Sequence, residues 1–359
     1  MAMNSKWLRN SIRNFEPYTI PEIKEKTIIN ANESPYNVLD FPSVREDFFK
    51  GLQNLEIFRY PAPMADALRQ ALAEYVGCRP EQVLATNGGD EILALIIQTF
   101  INPGDTVLLH VPTFDVYISN AEIGGAKVVR FDEGPDFVHD AKAYCEEVKR
   151  LQPKLTVICN PNNPTGAIWS TEEIKAILDV AENLVVVDEA YIEFSEHESV
   201  VSLVDSYDNL IVVRTLSKAF GLAGCRLGYG VTNKGLIEAL MLTKLYYNLN
   251  SFTQLMGLVV MKHRDEILDH NVPPTVKNRK NLIEGLQKVR GVTAYPSASN
   301  FVLVKVPDRE KILQALHDAD IAVRYYGTPQ LSQCVRLSVT TADVVESLIT
   351  VFQQTFGEE

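Results

Sequence analysis

The chain has 359 residues, 46% of them hydrophobic and 22% charged, a balance that supplies a buried core and excludes disordered and fibrous classes. Thirty-four basic against 46 acidic side chains leave a net charge of −12, which argues against sequence-independent binding to nucleic acid or to an anionic membrane. No apolar run approaches the roughly 20 residues of a membrane span, the N-terminus has no apolar signal core, and the five scattered cysteines show no metal-ligand spacing. A cytoplasmic location and no metal are therefore expected. HExxH, GxSxG and GxxxxGK[ST] are all missing, so zinc hydrolase, serine hydrolase and P-loop functions lose their main support.

In chain order, the first 40 residues, rich in proline, read as an irregular arm. From about residue 64 strands and helices alternate, the pattern of an α/β fold on a largely parallel sheet. Strands are expected at 82–86, 106–110, 127–131, 155–159, 184–188, 210–214 and 226–230, seven in all, with helices at 90–100, 141–151 and 171–181 between them. Ser170 with Glu173 forms a capping box at the start of the last of these. After Gly230 a long helical stretch runs over 233–249, and another over 252–291 is interrupted near Pro273-Pro274. A second, α+β unit follows: strand 301–306, helix 309–319, strands 322–325 and 335–339, and a closing helix from Ala342.

Ligands of open α/β sheets sit beyond the carboxyl ends of the strands, so the residues just past each strand are the candidates for chemistry. Gly88-Gly89-Asp90 joins a strand to a helix start, where bare N–H groups and the helix dipole suit a phosphate, or where a glycine pair makes a tight turn. PNNPTG at 161–166 is a rigid turn that presents the Asn163 amide. Asp188 ends an apolar strand, either as a helix cap or as the partner of a buried cation. Lys218 follows another apolar strand and precedes Arg226; it is a solvated lysine or an amine nucleophile. A carboxylate, an amide, a lysine, an arginine and a phosphate-ready turn at the ends of one sheet make the inventory that pyridoxal phosphate requires.

Taken together, INANESPYN (29–37), RYPAP (59–63), TNGGDE (86–91), PTFDVY (112–117), PNNPTG, VVVDEAYIEF (185–194), RTLSKAFGLAGCRLGY around Lys218 and VRLSVTT (335–341) resemble the class I/II, fold-type I pyridoxal-phosphate aminotransferases. Within them the series is most similar to the histidinol-phosphate aminotransferases, in order and across nearly the whole chain. The resemblance implies a fold-type I transferase with a seven-stranded, mostly parallel large domain over 45–250, and a smaller α+β domain from 1–44 plus 251–359. It implies pyridoxal 5′-phosphate as cofactor and a ping-pong transfer from histidinol phosphate to 2-oxoglutarate. An aromatic aminotransferase or a threonine-phosphate decarboxylase-like enzyme is the alternative.

Residue by residue, the resemblance makes Lys218 the Schiff-base lysine and proton shuttle, and Asp188 the partner of the pyridinium nitrogen. Asn163 and Tyr191 take the phenolic oxygen, and Phe114 takes the ring face. Gly88, Gly89, Asp90, Ser217 and Arg226 hold the cofactor phosphate. Tyr60 reaches that phosphate from the other subunit of a homodimer. Arg336 and Arg324 grip the anionic groups of the substrates, with Tyr18 and Asn32 closing over the site. Ser34, Ala62, Gly89 and Thr340 depart from the family's usual residues without removing a cofactor-binding group.

Overall fold

A computed structural model describes residues 7–13, 15 and 23–357 of the chain. Its regular elements, in order, are β1 (Thr27–Ile28), α1 (Pro42–Gln53), α2 (Asp66–Val76), β2 (Val83–Asn87), α3 (Gly89–Phe100), β3 (Thr106–Val111), α4 (Asp115–Gly124), β4 (Lys127–Asp132), α5 (Ala141–Leu151), β5 (Leu155–Cys159), α6 (Thr171–Val180), β6 (Leu184–Asp188), β7 (Leu210–Thr215), β8 (Leu227–Val231), α7 (Lys234–Leu240), α8 (Ser251–Lys262), α9 (Arg264–Leu286), β9 (Thr293–Ala294), β10 (Phe301–Lys305), α10 (Arg309–Asp318), β11 (Ile321–Ala322), β12 (Arg324–Tyr325), β13 (Cys334–Ser338) and α11 (Ala342–Phe356).

The seven expected strands form one sheet in the order β2-β8-β7-β6-β5-β3-β4. Only β8 runs against the rest, antiparallel to both β2 and β7. The central strands β5, β6 and β7 are apolar on both faces because helices cover both. On one face Leu68 and Leu72 of α2, Tyr144 and Val148 of α5, Ile174 and Ile177 of α6 and Val259 and Val260 of α8 share a buried cluster. On the other, α3, Tyr117 and Ala121 of α4 and Ile237 and Leu240 of α7 pack on Leu109, Val157, Val186 and Ile211. The Ser170/Glu173 capping box forms as expected.

The second sheet has the order β12-β13-β10-β9, and β1 and β11 form a separate parallel pair. Strand alternation sorts its side chains. Val302, Val304, Val335 and Leu337 face a core built with α9, α10 and α11, while Leu303 and Arg336, opposite each other across β10 and β13, face away from it.

Three expectations are corrected. The helix over 233–249 ends at Leu240, and the segment after it folds back, with Lys244 Nζ donating to the carbonyls of Pro63 and Leu245 and Asn248 Nδ2 to that of Ala85. Side-chain bonds to the main chain there replace helical ones. The second stretch breaks at His263, not at the prolines: Pro273 and Pro274 lie inside α9. The carbonyls they leave without a helical donor belong to Asp269 and His270, both exposed to water. The arm, read as irregular, contributes β1, and α1 was not foreseen.

Candidate active site

The C-terminal ends of β2, β5, β6 and β7 and the free face of the second sheet meet at Lys218. Its Nζ donates to the carbonyl of Ala31 at 2.7 Å, and Ala31 sits in the turn that follows β1. Burial, helped by the Arg336 guanidinium, lowers the amine from its usual 10.5 to about 8. Near neutral pH a usable fraction is therefore the free base.

Asp188 ends β6 in an apolar setting, and burial raises it to about 6. Two donors oppose that rise: the Tyr117 hydroxyl on Oδ2 at 2.7 Å and the Ala190 N–H on Oδ1 at 3.0 Å. The carboxylate is thus kept ionised at neutral pH in a place that would otherwise protonate it. Beside it, burial pushes the Cys159 thiol up to about 12, which leaves it an inert neighbour.

The Tyr191 hydroxyl receives the Asn32 amide at 3.2 Å and the Asn163 amide at 3.4 Å. With both lone pairs engaged, its own hydrogen is free to be donated. Asn163 is oriented from its other end, since its Oδ1 accepts from Arg336 Nη1 at 2.6 Å. Arg336 also donates from Nη2 to the Asn30 carbonyl at 2.6 Å, and its buried Nε has no partner among the described residues. Asn162, the neighbour of Asn163, is wholly structural: its amide bonds Pro112 O and Thr165 Oγ1 and accepts from Thr113, tying the PNNPTG turn to the segment that ends in Phe114.

At the β2–α3 turn, Gly88 has φ +79°, and a Cβ there would fall 2.6 Å from the Arg226 guanidinium. A Cβ on Gly228 would lie 2.5 Å from the Gly88–Gly89 backbone, so the turn, β8 and Arg226 close on one another without side chains between them. Arg226 is itself held at φ +53°, a strained conformation for a residue with a side chain, and pairs with Asp90 at 2.9 Å. Ser217 Oγ is held by Thr215 Oγ1 at 3.0 Å. Phe114 precedes α4, edge-on to Tyr117. The turn, α3's N-terminal N–H groups and Arg226 make a cradle for an anion.

Arg324 lies directly opposite Arg336 across β12 and β13. Tyr60 is not brought to this group within the chain: it is 79% exposed and stacks on Tyr247. Tyr18 lies outside the described residues. Sequence reasoning missed Tyr117, Asn162 and the Ala31 carbonyl. The first had a legible signal, three residues after Phe114 and on the same side of α4's first turn; a backbone carbonyl has none.

Comparison with known proteins matches residues 24–352 to the family "Aminotransferase class I and II". A histidinol-phosphate aminotransferase of Caldanaerobacter subterraneus subsp. tengcongensis is 36% identical over 97% of this chain and 98% of its own. The chloroplastic histidinol-phosphate aminotransferase of Nicotiana tabacum is 37% identical over 89% of this chain and 77% of its own. Among solved structures, the histidinol-phosphate aminotransferase of Sinorhizobium meliloti superposes with a TM-score of 0.87 over 97% of both chains at 24% identity, which speaks to the fold. A family match across nearly the whole length, with full-length relatives above one third identity, places the chain in the class I and II aminotransferases.

Proposed function

We propose that the protein is a pyridoxal 5′-phosphate-dependent aminotransferase that moves the amino group of histidinol phosphate to 2-oxoglutarate, giving imidazole acetol phosphate and glutamate. One observation carries the substrate pair: Arg324 and Arg336 are directly opposite on adjacent strands, and Arg336 acts on the Lys218 amine. Like charges directly opposite are destabilising, and a shared anion relieves them. Both substrates bring one, a phosphate in the first half-reaction and a second carboxylate in the other. The names carried by the full-length relatives support the same pair.

The residues present fit the cofactor. Asp188 is a buried carboxylate with no salt bridge among the described residues and would hold the ring nitrogen. Asn163 and the free Tyr191 hydrogen would hold the phenolic oxygen, Phe114 the ring face, and the cradle of Gly88, Gly89, Asp90, Ser217 and Arg226 the phosphate. When bound, the pyridoxal ring supplies an electron sink for the charge left at the substrate Cα. Asp188, ionised above about 6, would hold the proton of the ring nitrogen, and Lys218 Nζ, partly free base near neutral pH, would take the proton from Cα. Arg336 aligns the substrate against Lys218 while also orienting Asn163, and Asn32 covers the Tyr191 side.

Three further points belong to this proposal. The exposed apolar side chains of Ile57, Phe58, Tyr60, Leu242, Leu245 and Tyr246 support a homodimer in which Tyr60 reaches the partner's phosphate cradle; a role for Tyr18 on the substrate side rests on the resemblance alone. The division into a large domain over 45–250 and a smaller one from 1–44 plus 251–359 is part of this reading, with α8 grouped with the large one because Met256, Val259 and Val260 lie in the cluster under its sheet. Five unpaired thiols support a cytoplasmic location. The test is glutamate formation from histidinol phosphate and 2-oxoglutarate by the holoenzyme. Its absence, or carbon dioxide release without any acceptor, contradicts the assignment.

A further inference from the structure

Tyr326, one residue past the end of β12, has a hydroxyl that is buried with no partner among the described residues. A buried phenolic O–H without an acceptor costs free energy that a bound acceptor would recover. Its ring is fixed on both sides. The Arg324 guanidinium lies over it, with Cζ 5.6 Å from the centroid. Phe137, Tyr295, Leu303, Leu331 and Cys334 form the small apolar cluster it packs against. Phe137 reaches that cluster from the loop after β4, at φ +57°, so the large sheet's edge holds the ring in place at some backbone strain. Tyr326 feels the charges of both Arg336 and Arg324, and that of Asp115 at the start of α4. Its ring therefore lies against Arg324, the register partner of Arg336. Arg324 donates no hydrogen bond among the described residues, and Arg336 keeps its Nε free.

We propose that Tyr326 is a specificity-determining residue: its hydroxyl is the third donor to the anion shared by Arg324 and Arg336, and it favours a phosphate monoester over a carboxylate. This rests on the substrate assignment above and sharpens it. A carboxylate has two oxygens in one plane, which a single guanidinium satisfies as a fork. A phosphate monoester has three terminal oxygens on a tetrahedron, so two guanidinium groups leave an oxygen for a donor outside their plane. A rigid, pre-placed hydroxyl meets it at little cost in side-chain entropy. The contact forms on binding and persists through the reaction, because the phosphate is remote from the reacting carbon. It therefore acts on KM rather than on kcat.

The test uses Tyr326→Phe, which keeps the ring and its packing. For holoenzyme, KM for histidinol phosphate rises about 10- to 100-fold, the range of one hydrogen bond to a charged group, with kcat nearly unchanged. KM for 2-oxoglutarate moves less than about threefold, being a carboxylate contact. Calorimetric titration of inorganic phosphate into the holoenzyme, whose cofactor cradle is filled, gives a direct readout: Kd weakens by a similar factor, while that of acetate does not move. Phosphate affinity in Tyr326→Phe equal to wild type overturns the proposal, as does an equal loss for phosphate and acetate. If wild type fails on histidinol phosphate but binds inorganic phosphate in a Tyr326-dependent way, the substrate assignment falls and the role of Tyr326 stands.

Discussion

At neutral pH the folded, cofactor-free chain holds the Lys218 ammonium in surroundings that lower its pKa to about 8 from 10.5. The unfolded chain binds this proton more tightly, so the penalty is complete below pH 8 and fades between 8 and 10.5 as the unfolded state also loses it. Lys218→Met should therefore stabilise the cofactor-free protein at pH 7 by on the order of 1–3 kcal/mol, less the lost bond to Ala31. Urea unfolding at pH 7 and again near pH 10 checks it, with the difference shrinking at the higher pH. Asp188 has the opposite sign. Its pKa is raised to about 6 from 3.8, which favours folding below pH 4 and fades as pH rises to 6. Asp188→Asn then stabilises the cofactor-free protein above pH 6 and not at pH 4. Tyr117→Phe removes one of the two donors that oppose the rise, so the acid limb of kcat/KM moves to higher pH. Lys218 and Asp188 were legible in the sequence because each ends or follows a wholly apolar strand, where charge needs a reason. Tyr117 left only a spacing signal three residues after Phe114, and Tyr326 left none, since the meaning of both depends on what the fold sets against their hydroxyls.

At the scale of elements, β6 ends on Asp188, the loop after it carries Tyr191, and a buried ion network holds that loop. Arg214 on β7 donates to Glu193 at 2.7 Å and reaches Glu189 at 3.4 Å, with all three side chains at most 6% exposed. Glu189 also accepts from Ser199 and the Val200 N–H, and Glu193 from the Tyr75 hydroxyl. Removing the cation alone strands two buried carboxylates, so Arg214→Met should cost about 3–5 kcal/mol in urea unfolding. Adding Glu189→Gln and Glu193→Gln should recover much of that loss, because the uncompensated charges go with them. The seven large-sheet strands were legible from β-branched runs closed by turn residues. The segment after Leu240 was not, because its helical pattern is overridden by Lys244 and Asn248 binding distant carbonyls. Pro273-Pro274 misled for a local reason: a helix bears proline where the orphaned carbonyls face water.

For the whole molecule, chain order conceals how the active site is assembled. The turn after β1 brings the Asn30 and Ala31 carbonyls and Asn32 onto side chains nearly two hundred and three hundred residues away, Lys218 and Arg336 among them, so the arm, the large sheet and the small sheet each supply part of one pocket. Its shape was legible as a family pattern; the contacts across it come from tertiary packing alone. The exposed apolar face around Leu242 and Leu245 should be covered by a second copy. Sedimentation should give a dimer, and Leu242→Glu with Leu245→Glu should shift it toward monomer and reduce turnover, the outcome that follows from the proposed reach of Tyr60 into a neighbouring cradle. The most direct measurement is borohydride reduction of the holoenzyme followed by peptide mass analysis. A pyridoxyl phosphate label on the peptide that holds Lys218, lost in Lys218→Ala, is the expected result. A label on another lysine, or none at all, would contradict the placement of the chemistry at Lys218.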